Sequence, residues 1–229
     1  MLDYQLVYSD RRRTLALQIK KGQLVVRAPS FLAKTDIDQF VLTKKDWLEK
    51  KLALFVTSIR GNFTFAQGDK LYIYGEEKTF FWQESAVDSV KVLPEQVVVF
   101  IRRENLTTEQ IKAKLKQLLL QWCHKDVEHY LAQHLFKFSQ QMQLFPQQVK
   151  VKVYKSRWGS CNSKKQLTFN SLLAMAPRSV LNYVIIHELA HLKEMNHSAR
   201  FWQLVATHQP NYRQDKLWLK QHQNQLSFS

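Results

Sequence analysis

The stretch Val184–His197, VIIHELAHLKEMNH, constrains this chain more than any other part of it. It reads as a helix, and a helix brings positions i and i+4 onto one face, one turn apart. His187 and His191 can therefore aim two imidazole nitrogens at one ion, while Glu188, about 100° further round, lies beside that ion rather than on it. This HExxH arrangement suits hydrolysis, because a metal acidifies a water molecule and the carboxylate takes the proton. A catalytic zinc takes three protein ligands and keeps one position open, and His197 can supply the third after a short turn through Met195 and Asn196. Asn196 is expected to be left-handed or capping, ahead of a helix starting at Ser198. The competing reading, in which these are hydrogen-bonded or surface histidines, would win for one isolated histidine. It loses for three histidines and a glutamate at these spacings.

Around this motif the chain alternates between short strands and helices. Residues 3–9, 13–20 and 23–28 carry short apolar or alternating runs punctuated by Gly22 and Pro29, which predicts a three-stranded meander. A helix over 35–59 follows, with Thr35 as cap and Ile37, Phe40, Val41, Trp47, Leu48 and Leu52 at helical spacing. Strands return up to about residue 101, with turns at Gly68, Gly75 and Pro94. From Thr107 to about Phe145 the pattern is helical, opened by the capping pair Thr107 and Gln110, and too long for one ordinary helix without a bend. Two strands, QVKVYKS and QLTFNSLL, then form a hairpin through RWGSCNSKK, Pro177 opens the HExxH helix, and two short helices close the chain. The expected class is α+β: a strand-rich module with one helix over 1–105, then a hydrolase domain over 106–229 built from a long helix, a hairpin, the HExxH helix and C-terminal helices.

Charge separates these two parts. Residues 1–105 carry 17 Lys/Arg against 13 Asp/Glu, and residues 106–229 carry 17 against 6, within a net charge of +15. No acidic residue lies between Glu128 and Glu188, whereas Lys137, Lys150, Lys152, Lys155, Arg157, Lys164, Lys165 and Arg178 all do. In QVKVYKS, Val149, Val151 and Val153 alternate with Lys150 and Lys152, giving the strand an apolar and a basic face. An anionic partner, nucleotide or nucleic acid, is expected on the active-site side. Two cysteines 38 positions apart make neither a disulfide framework nor a metal knuckle, and no run approaches the ~20 apolar residues of a membrane span. The expectation is a soluble, cytoplasmic protein without a signal peptide.

Other candidate residues carry less. Arg157 and Tyr212 could each place a donor near a developing oxyanion, although Arg157 could equally pair with a carbonyl and Tyr212 pack in the core. Cys161 reads as a small packed residue before it reads as a zinc ligand or redox gate. His124, His129 and His134 recur every five residues, about 140° apart round a helix, and cannot share one ion. Phe201, Trp202 and Val205 are spaced for packing and read as core rather than as a base-stacking platform.

The spacing HExxHxxxxxH also occurs in metzincins, but these have a glycine where Glu194 stands and a methionine turn downstream, and no methionine follows His197. Instead, residues from about 150 to 210 closely resemble the YgjP-like family of predicted metal-dependent hydrolases, whose relatives include the SprT and WLM zinc peptidases. The resemblance is carried by Arg-Trp-Gly-Ser-Cys at 157–161, Phe-Asn at 169–170, Ala-Pro at 176–177, HELAH at 187–191, and Asn-His at 196–197 followed by Phe-Trp at 201–202. The run YSDRRRTLALQIKKGQLVVRAP from residue 8 is similar to that family's entry module. The resemblance implies a zincin-like minimal fold, Zn2+ held by His187, His191 and His197, and Glu188 as base.

The first expectation for function is thus a zinc metallopeptidase, with an extended peptide or protein substrate paired along the strand QLTFNSLL. The second, hydrolysis of nucleotide pyrophosphate bonds on the same metal site, follows from an association of the family and suits the acid-free basic stretch. The third is a nucleic-acid-associated protein of SprT or WLM type, for which no helix-turn-helix, zinc-finger or RNP signature is present. None of these involves a membrane.

Overall fold

The computed structural model describes residues 3–20, 23–49, 63–102 and 105–228. It divides into two compact units, Met1–Asn62 and Phe63–Ser229, and the fold is α+β. Among the described residues no helix is long and apolar enough to cross a membrane.

The first unit holds strands β1 (Tyr4–Ser9), β2 (Ala16–Lys20) and β3 (Gln23–Pro29) and helix α1 (Lys34–Thr43). The strands run in the order β1-β3-β2, with β1 parallel and β2 antiparallel to β3, so the expected meander is not formed. The reason lies in β3, whose Leu24, Val25, Val26 and Ala28 are buried and which takes the central place, where both of its edges are paired. Ile37, Val41 and Leu48 join Leu24, Val26 and Ala28 in a small core of this unit. Thr35 does not cap α1: the helix starts at Lys34, with Ala33 at the N-cap and no side-chain cap. Helical residues resume at 45–49. The rest of the predicted helix, with Leu52, and the turn at Gly22 lie outside the described residues.

The second unit opens with β4 (Lys70–Ile73), β5 (Glu76–Ser85), β6 (Ser89–Val92) and β7 (Gln96–Arg102), in the order β4-β5-β7-β6. Tyr74 and Gly75, both with positive φ (56° and 83°), turn β4 into β5. A Cβ on Gly75 would collide with the Pro177 ring, so this turn can seat against the entry to the HExxH helix only as glycine. Helix α2 (Thr108–Met142) is one continuous helix of 35 residues. The capping box forms as expected: Thr107 Oγ1 accepts from the Gln110 amide, and Gln110 Oε1 accepts from the Thr107 amide. Leu115, Leu119, Cys123, Val127 and Leu131, four apart, bury one stripe of α2. They share a single core with Phe80, Val97, Val99 and Ile101 of the sheet, which is why the compact units divide after Asn62 and residue 105 falls inside the second one.

A second sheet contains β8 (Gln148–Lys152), β9 (Gly159–Cys161) and β10 (Gln166–Asn170), in the order β8-β10-β9. The expected hairpin is therefore absent, since β8 and β10 pair in parallel. Its intended loop supplies the short strand β9, which turns back antiparallel onto β10 through a bend where Asn162 Oδ1 accepts from the amides of Lys164 and Gln166. After a buried 3-10 turn at Ser171–Met175, three helices follow: α3 (Arg178–Ala190), α4 (Ala199–His208) and α5 (Tyr212–His222). The start of α3 is fastened to α2 by Arg178, which makes two hydrogen bonds of 3.0 and 2.9 Å to the Asp126 carboxylate. The Tyr74 hydroxyl donates to the same carboxylate at 2.8 Å, and the guanidinium lies 4.1 and 4.6 Å from the Tyr74 and Tyr130 rings.

Candidate metal centre

Helix α3 buries Val184, Ile185, Ile186, Leu189 and Ala190 in the core, and that packing fixes the azimuth of the two residues between them, His187 and Glu188. The helix ends just as His191 has completed one more turn; its φ and ψ (−66°, −17°) are still helical. The Glu194 amide then bonds the Ala190 carbonyl, and the chain returns so that His197 faces the helix. Asn196 is not left-handed. The cap of α4 is Ser198, whose hydroxyl accepts from the Phe201 amide at 3.3 Å.

The ligand atoms of His187, His191 and His197 all lie within 4.8 Å of one another. Nε2 of His187 and Nε2 of His197 are 3.1 Å apart. Two nitrogens at about 2.0–2.1 Å from one tetrahedral zinc would be separated by about 3.3 Å, so the three side chains fit such an ion. His191 Nδ1 is 3.0 Å from the Glu194 carbonyl oxygen, which can only accept, so the ring's proton belongs on Nδ1 and its Nε2 is left as a lone-pair donor. Phe201 supports all three rings, with centroids 4.9, 4.6 and 4.7 Å from those of His187, His191 and His197. Trp202 stacks on His197 at 5.5 Å, Tyr212 stacks on Trp202 at 5.3 Å, and the Lys216 ammonium sits 4.1 Å from the Trp202 ring. These aromatics are packing and support, as their spacing implied.

Electrostatics favours a metal-competent site. Burial, followed by the neighbouring His191 and His197, pushes the His187 imidazole down to about 3, and burial also lowers His191. Neutral imidazoles are the form that binds metal. Burial raises the Glu188 carboxyl to about 8, with the Arg157 charge pulling the other way. One wall of its pocket is the backbone of β9: a Cβ built on Gly159 would lie 2.5 Å from Glu188 Oε1.

A cleft of about 300 Å³ opens on His187 and Glu188, walled by Trp158, Gly159, Tyr183, Lys216 and Lys220. Glu188 is the only acidic residue among its described lining. Of the remaining sequence candidates, Arg157 is exposed, with its guanidinium 5.5 Å from the Tyr154 ring, and lines an adjoining groove rather than the cleft. Tyr212 is buried between Trp202 and Tyr183, and it does not line the cleft. Cys161 is half-buried on β9 and stands outside the histidine cluster. His124, His129 and His134 do not converge; each contacts a neighbour of its own, Glu128, Gln133 and Tyr130. Lys150 and Lys152 are exposed on β8 and line neither cleft nor groove. Strand β10 lies in the middle of its sheet, with β8 on one edge and β9 on the other, so it has no free edge for a substrate strand. Sequence reasoning missed Lys216 and Lys220. Their signal was present, as an i, i+4 basic pair on the last helix.

Fold and site together define a metal-dependent hydrolase with an α+β frame. The chain belongs to the YgjP-like family, whose metallopeptidase-domain model matches residues 13–222. Over 67 residues it is 36% identical to the UTP pyrophosphatase of Escherichia coli (strain K12), a match covering 28% of this chain and 40% of that protein. This chain thus spans well under half the length of the curated relative it matches. No solved structure matches it.

Proposed function

We propose that this protein is a zinc-dependent hydrolase that cleaves a phosphoanhydride in a nucleotide-like substrate, with Glu188 as general base. The observation that carries the reading is the cleft: Lys216 and Lys220 stand beside His187 and Glu188, and Glu188 is the only acid in its lining among the described residues. Such a cleft attracts a polyphosphate and disfavours an acidic peptide. The UTP pyrophosphatase activity of the relative agrees with this choice.

His187, His191 and His197 would hold the ion, and zinc at that position supplies Lewis acidity that makes water a nucleophile near neutral pH. Glu188 accepts a proton from the attacking water as its oxygen bonds to phosphorus. The bridging P–O bond breaks, and Glu188 can return the proton to the departing phosphate. Lys216 and Lys220 offset negative charge on the phosphate chain, and the apolar burial that raises Glu188 keeps it basic enough for the task.

A second reading, peptide hydrolysis by the same groups, is favoured by one specific observation. Strand β9 is an edge strand and its Gly159 touches Glu188, so an extended peptide added to β9 would pass the base. The deciding experiment incubates zinc-loaded protein with nucleoside triphosphates and with a peptide library, alongside Glu188→Gln. Phosphate or pyrophosphate release that disappears in the variant supports the first reading. Peptide cleavage without nucleotide turnover replaces it with the second.

A further inference from the structure

Beside the metal cleft lies a second groove, of about 540 Å³, which shares Trp158 and Gln223 with it. The two therefore adjoin at these side chains. The groove's cations are Lys116, Lys155 and Arg157, and no acidic residue lines it among those described. Its remaining wall differs from that of the cleft: Tyr154, Trp158 and the exposed Val153 offer flat or apolar surface, while Asn224 and Gln223 offer amides.

That wall is built in advance. Asn170, buried to 2% exposure, donates from Nδ2 to the carbonyls of Tyr154 and Arg157 at 3.0 and 2.9 Å, and its Oδ1 accepts from the Tyr154 and Leu172 amides. One buried amide thus fixes the loop that carries Tyr154, Lys155 and Arg157. The Tyr154 hydroxyl is held 3.3 Å from Ser160 Oγ, and Arg157 sits over the Tyr154 ring. A preformed site of this volume lies within the ordinary range for small-molecule pockets, about 300–1,000 Å³.

We infer that this groove is the nucleoside subsite of the enzyme: it receives the base and sugar of a nucleoside triphosphate whose phosphate chain runs past Trp158 into the metal cleft, toward Lys216 and Lys220. The inference rests on the phosphoanhydride reading above. A bare anion would use the lysines and leave the rings and amides idle, whereas a nucleobase presents a π-face to the former and a hydrogen-bonding edge to the latter. Lys155 and Arg157, on the wall of the groove, would meet the phosphate nearest the sugar.

The test is calorimetric binding to the full-length, zinc-loaded Glu188→Gln protein, which prevents turnover in every arm. The probes are the common ribonucleoside triphosphates and inorganic tripolyphosphate. At least one nucleotide is expected to bind about tenfold or more tightly than tripolyphosphate. Tyr154→Ala and Asn224→Ala should each reduce that preference to within about threefold, with tripolyphosphate affinity unchanged. Asn224 is exposed, so its variant reports even where Tyr154→Ala fails to fold. Equal binding of nucleotide and tripolyphosphate, or a preference retained in every variant that folds, overturns the subsite and leaves the phosphoanhydride reading standing. Absence of binding by either probe at low salt overturns both.

Discussion

Gly159 presses its backbone against the Glu188 carboxylate: a single added methyl group there would lie 2.5 Å from Oε1 and 2.7 Å from Cγ. Because φ at Gly159 is not positive, the requirement is for space and not for a special backbone conformation. Strand β9 and the HExxH helix are thereby locked to one spacing. Gly159→Ala is expected to displace the carboxylate while leaving the three histidines in place. Turnover should fall by about tenfold or more, with metal content unchanged, as steady-state kinetics and elemental analysis would show. Wild-type turnover in this variant would mean that Glu188 has room to move and that its position is not critical.

His197 is the exposed member of the triad and the one that lies beyond α3 and its C-cap, His191. Its ring is held by Trp202 stacking on one side and by proximity to His187 on the other. His197→Ala should weaken zinc binding by at least about 100-fold, because a two-ligand site lacks the closure that distinguishes a protein zinc site from a surface pair of histidines. Competition against a chelator of known affinity measures this directly. Undiminished affinity would remove His197 from the ligand set.

The three histidines and Glu188 were legible because a helix converts sequence spacing into direction with few exceptions, and the return of His197 needed only a short turn. The capping box of α2 and the Gly75 turn were legible for the same local reason. Strand order was not. The parallel pairings of β1 with β3 and of β8 with β10 depend on which strand is most completely buried and on what a loop does when a partner is near, and neither quantity is local. The same limit applies to the basic surface. Lys150 and Lys152 are neighbours in an acid-free run, yet spatially they belong to an outer strand, while Lys216 and Lys220, beyond that run, line the cleft.

Glu188 and His187 give the metal-free protein an unusual pH dependence. The Glu188 carboxyl is raised from 4.5 to about 8, so its contribution to stability is fully present below 4.5 and is lost as pH rises through 8. His187 is lowered from 6.5 to about 3, so its unfavourable effect sets in only as pH falls below 6.5. Between pH 6.5 and 8, Glu188 acts without opposition from His187. Metal-free wild type should lose on the order of 2 kcal/mol across that window relative to metal-free Glu188→Gln. Denaturant melts of both proteins at matched ionic strength would measure it. Parallel stability curves would show that the carboxyl of the folded protein is already ionised at pH 6.5.

Lys216 and Lys220 supply the last prediction, since they separate a charge that serves the site from charge that serves only solubility. Both are exposed on α5, one turn apart, and both wall the cleft; Lys216 also lies over Trp202, the ring that stacks on His197. A polyphosphate in the cleft would meet these two ammonium groups before any other cation, and exposed charges of this kind act over roughly a Debye length, ~8 Å at physiological salt. The double variant Lys216→Ala, Lys220→Ala should therefore raise KM for an anionic substrate by about tenfold or more and flatten its dependence on salt. Zinc content should stay near wild type, and Lys220→Ala alone, which leaves the Trp202 contact intact, should show the same direction of change. Reversal of Lys150 and Lys152 to glutamate, on the exposed face of β8, should alter KM by less than about threefold. If the β8 pair proved to be the sensitive one and the α5 pair silent, the substrate would have to approach along β8, and the cleft would have been assigned to the wrong charges.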